Sequence, residues 1–125
     1  MALFSSRELT QQARSAGFQV LAVEQLRPSR WLLTLTCLQN RTVLAMFQQR
    51  TLIGAADVQD LADLVRLRRA GSGLLVAPGA AFSSAARQTL SELRDVRLWL
   101  CTSLPSAGEA SEPRGLGVIV QSPLS

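Results

Sequence analysis

The stretch that decides the fold runs from Ile53 to Trp99 and reads IGAADVQDLADLVRLRRAGSGLLVAPGAAFSSAARQTLSELRDVRLW. It contains, in order, a glycine turn, an amphipathic helix, a buried strand, a loop ending at a helix cap, a second helix and a final strand. A helix between two buried strands is the signature of a βαβ unit, whose strands run parallel. The stretch therefore predicts an α/β fold.

The first helix of this stretch has one apolar and one charged face. Its apolar residues recur at the i, i+3, i+4 and i+7 spacing of a helix, and they are Val58, Leu61, Ala62 and Val65. The opposite face carries three acids and two arginines, which are Asp57, Asp60, Asp63, Arg66 and Arg69. Acids near the start and arginines near the end suit the helix dipole. We expect a solvated face in which these aspartates pair with the arginines.

The elements that follow have clear boundaries. Leu74–Ala77 is a short, wholly apolar run, typical of a strand covered on both faces, and the Pro-Gly pair after it breaks the strand. Ser83 is placed to cap the next helix. Val96–Cys101 is the last predicted core strand.

The upstream half supplies one helix and three strands. Ser5 and Glu8 match a capping box, which predicts a helix over residues 6–16. Three strand-like runs are predicted over residues 18–23, 31–38 and 42–47, joined by short polar connections. Short connections favour antiparallel neighbours. The whole predicted order is α-β-β-β-α-β-α-β.

Composition limits the classes of partner. All thirteen basic residues are arginine, there is no lysine or histidine, and nine acids leave a net charge of +4. A basic chain favours nucleic acid or another anionic partner. Uniform use of arginine together with abundant alanine also fits the bias of a genome, so charge alone does not decide the partner.

The sequence argues against several other classes. We expect a cytoplasmic protein, because no stretch of about 18 apolar residues could span a membrane and the first residues do not resemble a signal peptide. We also expect a protein of bacterial type. Cys37 and Cys101 lie in apolar runs and are interpreted as buried free thiols, with a disulfide as the alternative. Without histidine or a CxxC pair we expect no metal site, and we expect no cofactor.

The chain divides into a folded domain over residues 1–101 and a Pro/Ser/Gly-rich C-terminal tail over residues 102–125. Within the tail, residues 117–121 read GVIVQ. This run is a candidate for an extra strand, for docking on a partner or for a mobile segment. The sequence does not choose between these three.

Two motifs resemble the Mrr-type family of the restriction-endonuclease-like, or PD-(D/E)XK, nucleases. Ile53–Leu61, IGAADVQDL, is similar to the family's helix start after the catalytic strand, and Gly73–Ala86, GLLVAPGAAFSSAA, to its strand, loop and helix. Val96–Trp99 resembles the last core strand. The resemblance covers about residues 5–101. It implies a three-layer α/β/α core with a mixed central sheet of about 4–5 strands flanked by helices.

The same resemblance implies metal-assisted phosphodiester hydrolysis. An acid on the second strand and an acid or glutamine on the third would hold Mg²⁺, and a lysine two residues on would orient the attacking water. Here the corresponding positions hold Thr34, Met46 and Gln48, so no catalytic residue is assigned. A register shift would offer Gln48 as ligand and Arg50 as the cation, although the acid of the second strand would still be missing.

Three functions remain as hypotheses. The first is a catalytically inactive nuclease-like domain that binds DNA, with five candidate arginines: Arg41, Arg50, Arg66, Arg68 and Arg69. The second is a protein-interaction role, as a homodimer or as a subunit of a larger assembly. The third is a metal-dependent DNA endonuclease with a rearranged active site.

Overall fold

The computed structural model describes residues 5–36, 41–106 and 117–119. These residues form three helices and eight strands. In chain order they are α1 (Ser6–Ser15), β1 (Gln19–Arg27), β2 (Arg30–Thr36), β3 (Thr42–Gln48), β4 (Leu52–Ile53), α2 (Ala55–Arg68), β5 (Ser72–Val76), β6 (Ala81–Phe82), α3 (Ser84–Glu92), β7 (Leu98–Cys101) and β8 (Gly117–Ile119).

The main sheet is mixed, as predicted. Its described strands lie in the order β1-β2-β3-β5-β7-β8, and β4 pairs with β6 in a separate two-stranded sheet. The first three strands are antiparallel neighbours, whereas β3, β5, β7 and β8 run parallel. The parallel half follows from the helical crossover between β5 and β7, and the antiparallel half from the short hairpin connections.

Helices cover both faces of this sheet and make a three-layer α/β/α arrangement. On one face, α1 packs Leu9 and Ala13 against alternate residues of the central strands, including Leu33 and Phe47. On the other face, α2 and α3 pack against the intervening residues, including Met46. Because β3 is covered on both sides, its residues from Val43 to Phe47 are all buried and read as a continuous apolar run. The predicted fold class is confirmed.

The local caps explain where the helices begin and end. The Ser5 hydroxyl accepts a hydrogen bond from the backbone N–H of Glu8, and Ser83 does the same for Ala86. Gly17, at a φ of 98°, follows α1 in the left-handed region that glycine adopts at little cost. These three signals are readable from sequence because each involves neighbours within a few residues.

Several boundaries differ from the predictions. Strand β1 continues through Glu24 to Arg27, and Pro28 and Ser29 alone form the turn to β2. The extension was missed because this edge strand is largely exposed and lacks an apolar alternation. The two-residue strands β4 and β6 were also missed, since two residues are too few to show a period.

The remaining expectations about the chain are partly tested. Cys101 is buried in β7, whereas Cys37 lies outside the described residues. Strand β8 lies within the segment considered for an extra strand and pairs parallel to β7. The division of the chain at residue 101 stays a prediction. Among the helices described, none has the length and apolar character needed to cross a membrane.

Gly73 tests the packing between β5 and α2. A methyl group added there would lie 2.8 Å from Leu98 Cδ2 and from Val65 Cγ2, and 3.2 Å from Leu61 Cγ. We expect Gly73→Ala to lower the free energy of unfolding by about 1–3 kcal/mol, because the added atom overpacks a filled interface. Denaturant-induced unfolding followed by circular dichroism measures this loss.

Gly54→Ser is the matched control for this substitution. Gly54 is the N-cap of α2, has a φ of −111°, and has open space where a Cβ would stand. We expect a change within about 0.5 kcal/mol. Equal losses for the two variants would contradict the packing described here.

Candidate functional site: a buried arginine–glutamine–aspartate network

The three positions that the sequence resemblance aligns with a nuclease site share one face of the sheet. In the β2–β3 register, Thr34 stands opposite Leu44, Met46 opposite Leu32, and Gln48 opposite Arg30. Because directly opposed residues point the same way, all three positions lie on the face covered by α2 and α3. Met46 is fully buried in the apolar cluster of that face. The three positions thus share a face, but Thr34 lies four residues along β2 from Arg30, the residue opposite Gln48, which separates Thr34 from Gln48 by roughly 13 Å.

Gln48 is held by two side chains. Its Oε1 accepts a hydrogen bond from Arg30 Nε at 2.9 Å, and its Nε2 donates to Asp57 Oδ1 at 2.8 Å. Only 3% of Gln48 is exposed. Both ends of the amide are therefore occupied inside the protein, and these contacts set the orientation of the amide.

Arg30 links the sheet to two acids of α2. Its Nη2 lies 3.0 Å from Asp57 Oδ1 and its Nη1 lies 2.9 Å from Asp60 Oδ2. With Nε bound to Gln48, each of the three guanidinium nitrogens donates to a different side chain. Arg30 is only 6% exposed. Its positive charge is therefore compensated mainly by these side chains and little by water.

Asp57 is the acceptor on which the network converges. It is the third residue of α2, where its Oδ2 accepts the backbone N–H of Gly54 at 2.9 Å and satisfies an otherwise open donor at the helix start. Its Oδ1 also lies 3.2 Å from Nη1 of Arg50, a half-exposed side chain just after β3. Asp57 is 2% exposed. The carboxylate thus receives hydrogen bonds from Gly54, Gln48, Arg30 and Arg50.

The network balances its charges. Arg30 and Arg50 supply two positive charges, and Asp57 and Asp60 supply two negative ones. A buried ion pair of this kind contributes little net stability, because desolvation offsets much of the attraction. Removal of one partner is nevertheless costly, because the other charge is left buried without compensation. The four side chains therefore form a unit that is sensitive to the loss of any buried member.

The residues of this face do not fit the Mg²⁺ ion that the sequence resemblance implies. A hard cation needs several oxygen ligands in close array. Thr34 offers one hydroxyl, Met46 a thioether, and the single amide oxygen of Gln48 is bound to Arg30. Within the described residues no cluster of acidic, cysteine or histidine side chains could hold a metal. The register shift that would use Gln48 as ligand and Arg50 as the cation meets the same difficulty, because Gln48 is bound to Arg30 and Arg50 is paired with Asp57.

The prediction of a solvated aspartate face on α2 is wrong for Asp57. Only Asp63 pairs as expected, with Arg66 at 3.0 Å, while Asp57 is buried and Asp60 bonds to Arg30. Sequence reasoning missed Arg30 because it precedes Asp57 by 27 residues and approaches it only through the β2–β3 register. The one available signal was local: Asp57 stands three residues after a glycine that starts a helix.

The five candidate arginines lie at two ends of the sheet. Arg50 follows the end of β3 and joins the network, whereas Arg41 precedes the start of the same strand and Arg69 caps α2 near that start. The seven residues of β3 place these two ends about 20 Å apart. The candidates therefore do not converge on one surface.

Arg66 and Arg68, at the end of α2, are engaged in surface ion pairs. Arg66 bonds Asp95 with Nε to Oδ2 at 2.7 Å, and Arg68 makes a two-pronged pair with Glu24 of β1. Hydrogen bonding to these arginines holds the pKa of Asp95 and the pKa of Glu24 below their ordinary values. Each pair thus stabilises the fold above the unfolded-state pKa, and this contribution is lost as the pH falls through the folded-state pKa.

Comparison with known proteins supports the fold. The structure of EndoMS in its apo form is similar to this chain, with a TM-score of 0.57 and 17% sequence identity. The match covers 98% of this chain and 48% of the EndoMS chain, so the present chain spans about half the length of that protein. No family model and no curated protein matches the sequence. At this identity the likeness establishes a restriction-endonuclease-like fold.

Two aspartates of α2 test whether the network is a buried unit. We expect Asp57→Ala to lower the free energy of unfolding by about 3–5 kcal/mol, because Arg30 stays buried with part of its compensation gone. We expect Asp63→Ala, which removes an exposed pair on the same helix, to cost less than about 1 kcal/mol. Asp57→Asn keeps the shape and should fall between them. Similar losses at the two positions, measured by urea unfolding, would contradict this account.

Proposed function

We propose that this chain is a catalytically inactive nuclease-like domain of the Mrr-like type, which acts by binding DNA. The observation that carries the proposal is the occupation of the lysine-equivalent position by Gln48, whose amide is bound on both sides by Arg30 and Asp57. A glutamine held in this way supplies neither a positive charge for the transition state nor an oxygen for a metal.

Two further features support loss of catalysis. Met46 occupies the metal-ligand position and is fully buried, and the second strand carries no acid at Thr34. In the family that the sequence resembles, metal-assisted hydrolysis needs both oxygen ligands and the lysine. Substitution at all three positions is harder to compensate than substitution at one.

DNA binding is supported by the fold and by charge. The restriction-endonuclease-like fold is compatible with a DNA partner, and the net charge of +4 is carried entirely by arginines. Arginine is suited to phosphate because its planar guanidinium donates two parallel hydrogen bonds to one anion. Such a domain would hold DNA through its backbone without cleaving it.

Cleavage and binding assays test this proposal together. We expect no Mg²⁺- or Mn²⁺-dependent cleavage of plasmid or short duplex DNA. We also expect binding of a fluorescein-labelled duplex at low salt, weakening steeply as salt rises because counterions are released from the phosphates. Fluorescence anisotropy measures the affinity and its salt dependence.

Arg50→Ala is the control that separates the rearranged nuclease from the inactive domain. Arg50 is about half exposed, so its loss leaves the buried part of the network in place. Metal-dependent cleavage by the wild-type chain that disappears in Arg50→Ala would establish the rearranged nuclease and refute the proposal. A wild-type chain with no affinity for DNA at low salt would refute the binding role.

A second candidate, assembly with another copy of this chain, is favoured by one observation. Strand β1 is nine residues long and lies at the edge of the described sheet. It carries two exposed leucines, Leu21 and Leu26, which are 55% and 38% exposed. An open edge with exposed leucines is a template for pairing with another strand, and pairing of two β1 edges would give a symmetric dimer.

Light scattering tests the second candidate. If the β1 edge forms the dimer, the wild-type chain has twice the monomer mass, and Leu21→Lys with Leu26→Lys returns it to the monomer because two charges cannot be buried in the pair. Leu67→Lys is the control, since Leu67 is 78% exposed but lies on α2 rather than at the sheet edge. A monomeric wild-type chain would remove this candidate.

A further inference from the structure

Three parallel strands begin at the same end of the sheet, and arginines flank these starts. Arg41 immediately precedes β3, Arg97 immediately precedes β7, and Arg69 lies in the connection that leads into β5. The backbone N–H of Gly71 bonds the Thr42 carbonyl at 2.9 Å, which places the connection after α2 beside the start of β3.

The same kind of contact places Arg97. Its carbonyl accepts the backbone N–H of Gly73 at 2.8 Å, so the segment before β7 lies beside the start of β5. Since neighbouring strands are about 4.8 Å apart, the starts of β3, β5 and β7 span roughly 10 Å. We call the four exposed arginines of this region the strand-start arginines; they are Arg41, Arg69, Arg94 and Arg97.

Three acids around the end of α2 are already neutralised by other arginines. Asp63 and Asp95 bond to Arg66, and Glu24 bonds to Arg68. Within the part of the chain that the structure describes, the side chains of Arg69, Arg94 and Arg97 make no hydrogen bond or ion pair. Their positive charge is therefore available to an external anion.

Two of these arginines stand on backbone that is fixed. Arg69 is the C-cap of α2, at a φ of 53°, and its N–H bonds the Arg66 carbonyl. Arg97 is held through the carbonyl that bonds Gly73. Long side chains on a fixed backbone lose less freedom on binding than side chains on a mobile loop, which favours contact with a regular array of phosphates.

This region lies at the other end of β3 from the Arg30–Gln48–Asp57 network. A partner bound at the strand starts would not need the former catalytic positions, and loss of those positions would leave this surface intact. Duplex DNA presents one phosphate per roughly 3.4 Å on each strand, so an edge about 10 Å wide faces several of them.

The geometry points to the strand-start arginines as a surface for the phosphate backbone of duplex DNA, an inference that rests on the proposed DNA-binding function. The contacts are made to phosphates, so binding is independent of base sequence. Arg50, at the far end of the sheet, is not part of this surface. The inference thereby adds Arg94 and Arg97 to the candidates and separates Arg50 from them.

Matched double substitutions test the surface. Arg69→Gln with Arg97→Gln removes two strand-start charges. The control, Arg7→Gln with Arg27→Gln, removes one exposed charge from the first turn of α1 and one from the end of β1, which lies beside Arg30 at the other end of the sheet. The probe is a fluorescein-labelled duplex of random sequence, titrated at several salt concentrations. Thermal unfolding of each variant checks that the fold is retained.

We expect the strand-start variant to lower the slope of log affinity against log salt by about 2, because two phosphate contacts are lost, while the control variant keeps the wild-type slope. Equal slopes in all three proteins, or equal losses in both variants, would overturn the inference and leave DNA binding itself standing. No duplex affinity in the wild-type chain would refute the proposed function, and with it this surface. Binding to anionic lipid vesicles without binding to the duplex would refute both.

Discussion

The ion pair between Arg30 and Asp57 is the interaction on which the arrangement of β2, β3 and the start of α2 depends. Arg30 opens β2, Gln48 closes β3 opposite it, and Asp57 lies in the first turn of α2. Their hydrogen bonds join two strands and a helix at a place where each side chain is buried. Asp57 also accepts the Gly54 N–H, so the same carboxylate fixes the start of α2. The Asp57 carboxylate thereby both caps α2 locally and binds Arg30 of the sheet.

The position of this network gives it functional meaning. A nuclease of this fold would use the same face of β2 and β3 to present oxygen ligands and a lysine, all of which need access to metal, water and substrate. Here the face is filled by Met46, Leu32 and the apolar stripe of α2, with the network closing its end. Under the proposed function these positions serve structure rather than chemistry. Binding then falls to surfaces elsewhere, such as the strand-start arginines at the opposite end of β3.

The sequence predicted most of the fold and little of the site, for a physical reason. The caps at Ser5 and Ser83 and the apolar stripe of α2 are local features, readable from neighbouring residues. The predicted positions Thr34, Met46 and Gln48 do share one face, because strand register follows from the hairpin. The burial of Asp57 could not be predicted, because a helical aspartate that faces solvent and one that faces the sheet have the same local sequence. Its partner Arg30 is distant in the chain, and composition cannot tell which of thirteen arginines turns inward.

The central claim is that the network replaces the metal site, and the most direct measurement is paramagnetic broadening by Mn²⁺. Manganese added to ¹⁵N-labelled protein broadens the amide signals of residues close to any bound ion. The account predicts no saturable broadening centred on the ends of β2 and β3 and the start of α2, because the oxygens there are bound to arginines and to the Gly54 N–H. Saturable broadening of the amides around Thr34, Met46 and Gln48 would show that these positions still bind a metal and would contradict the account.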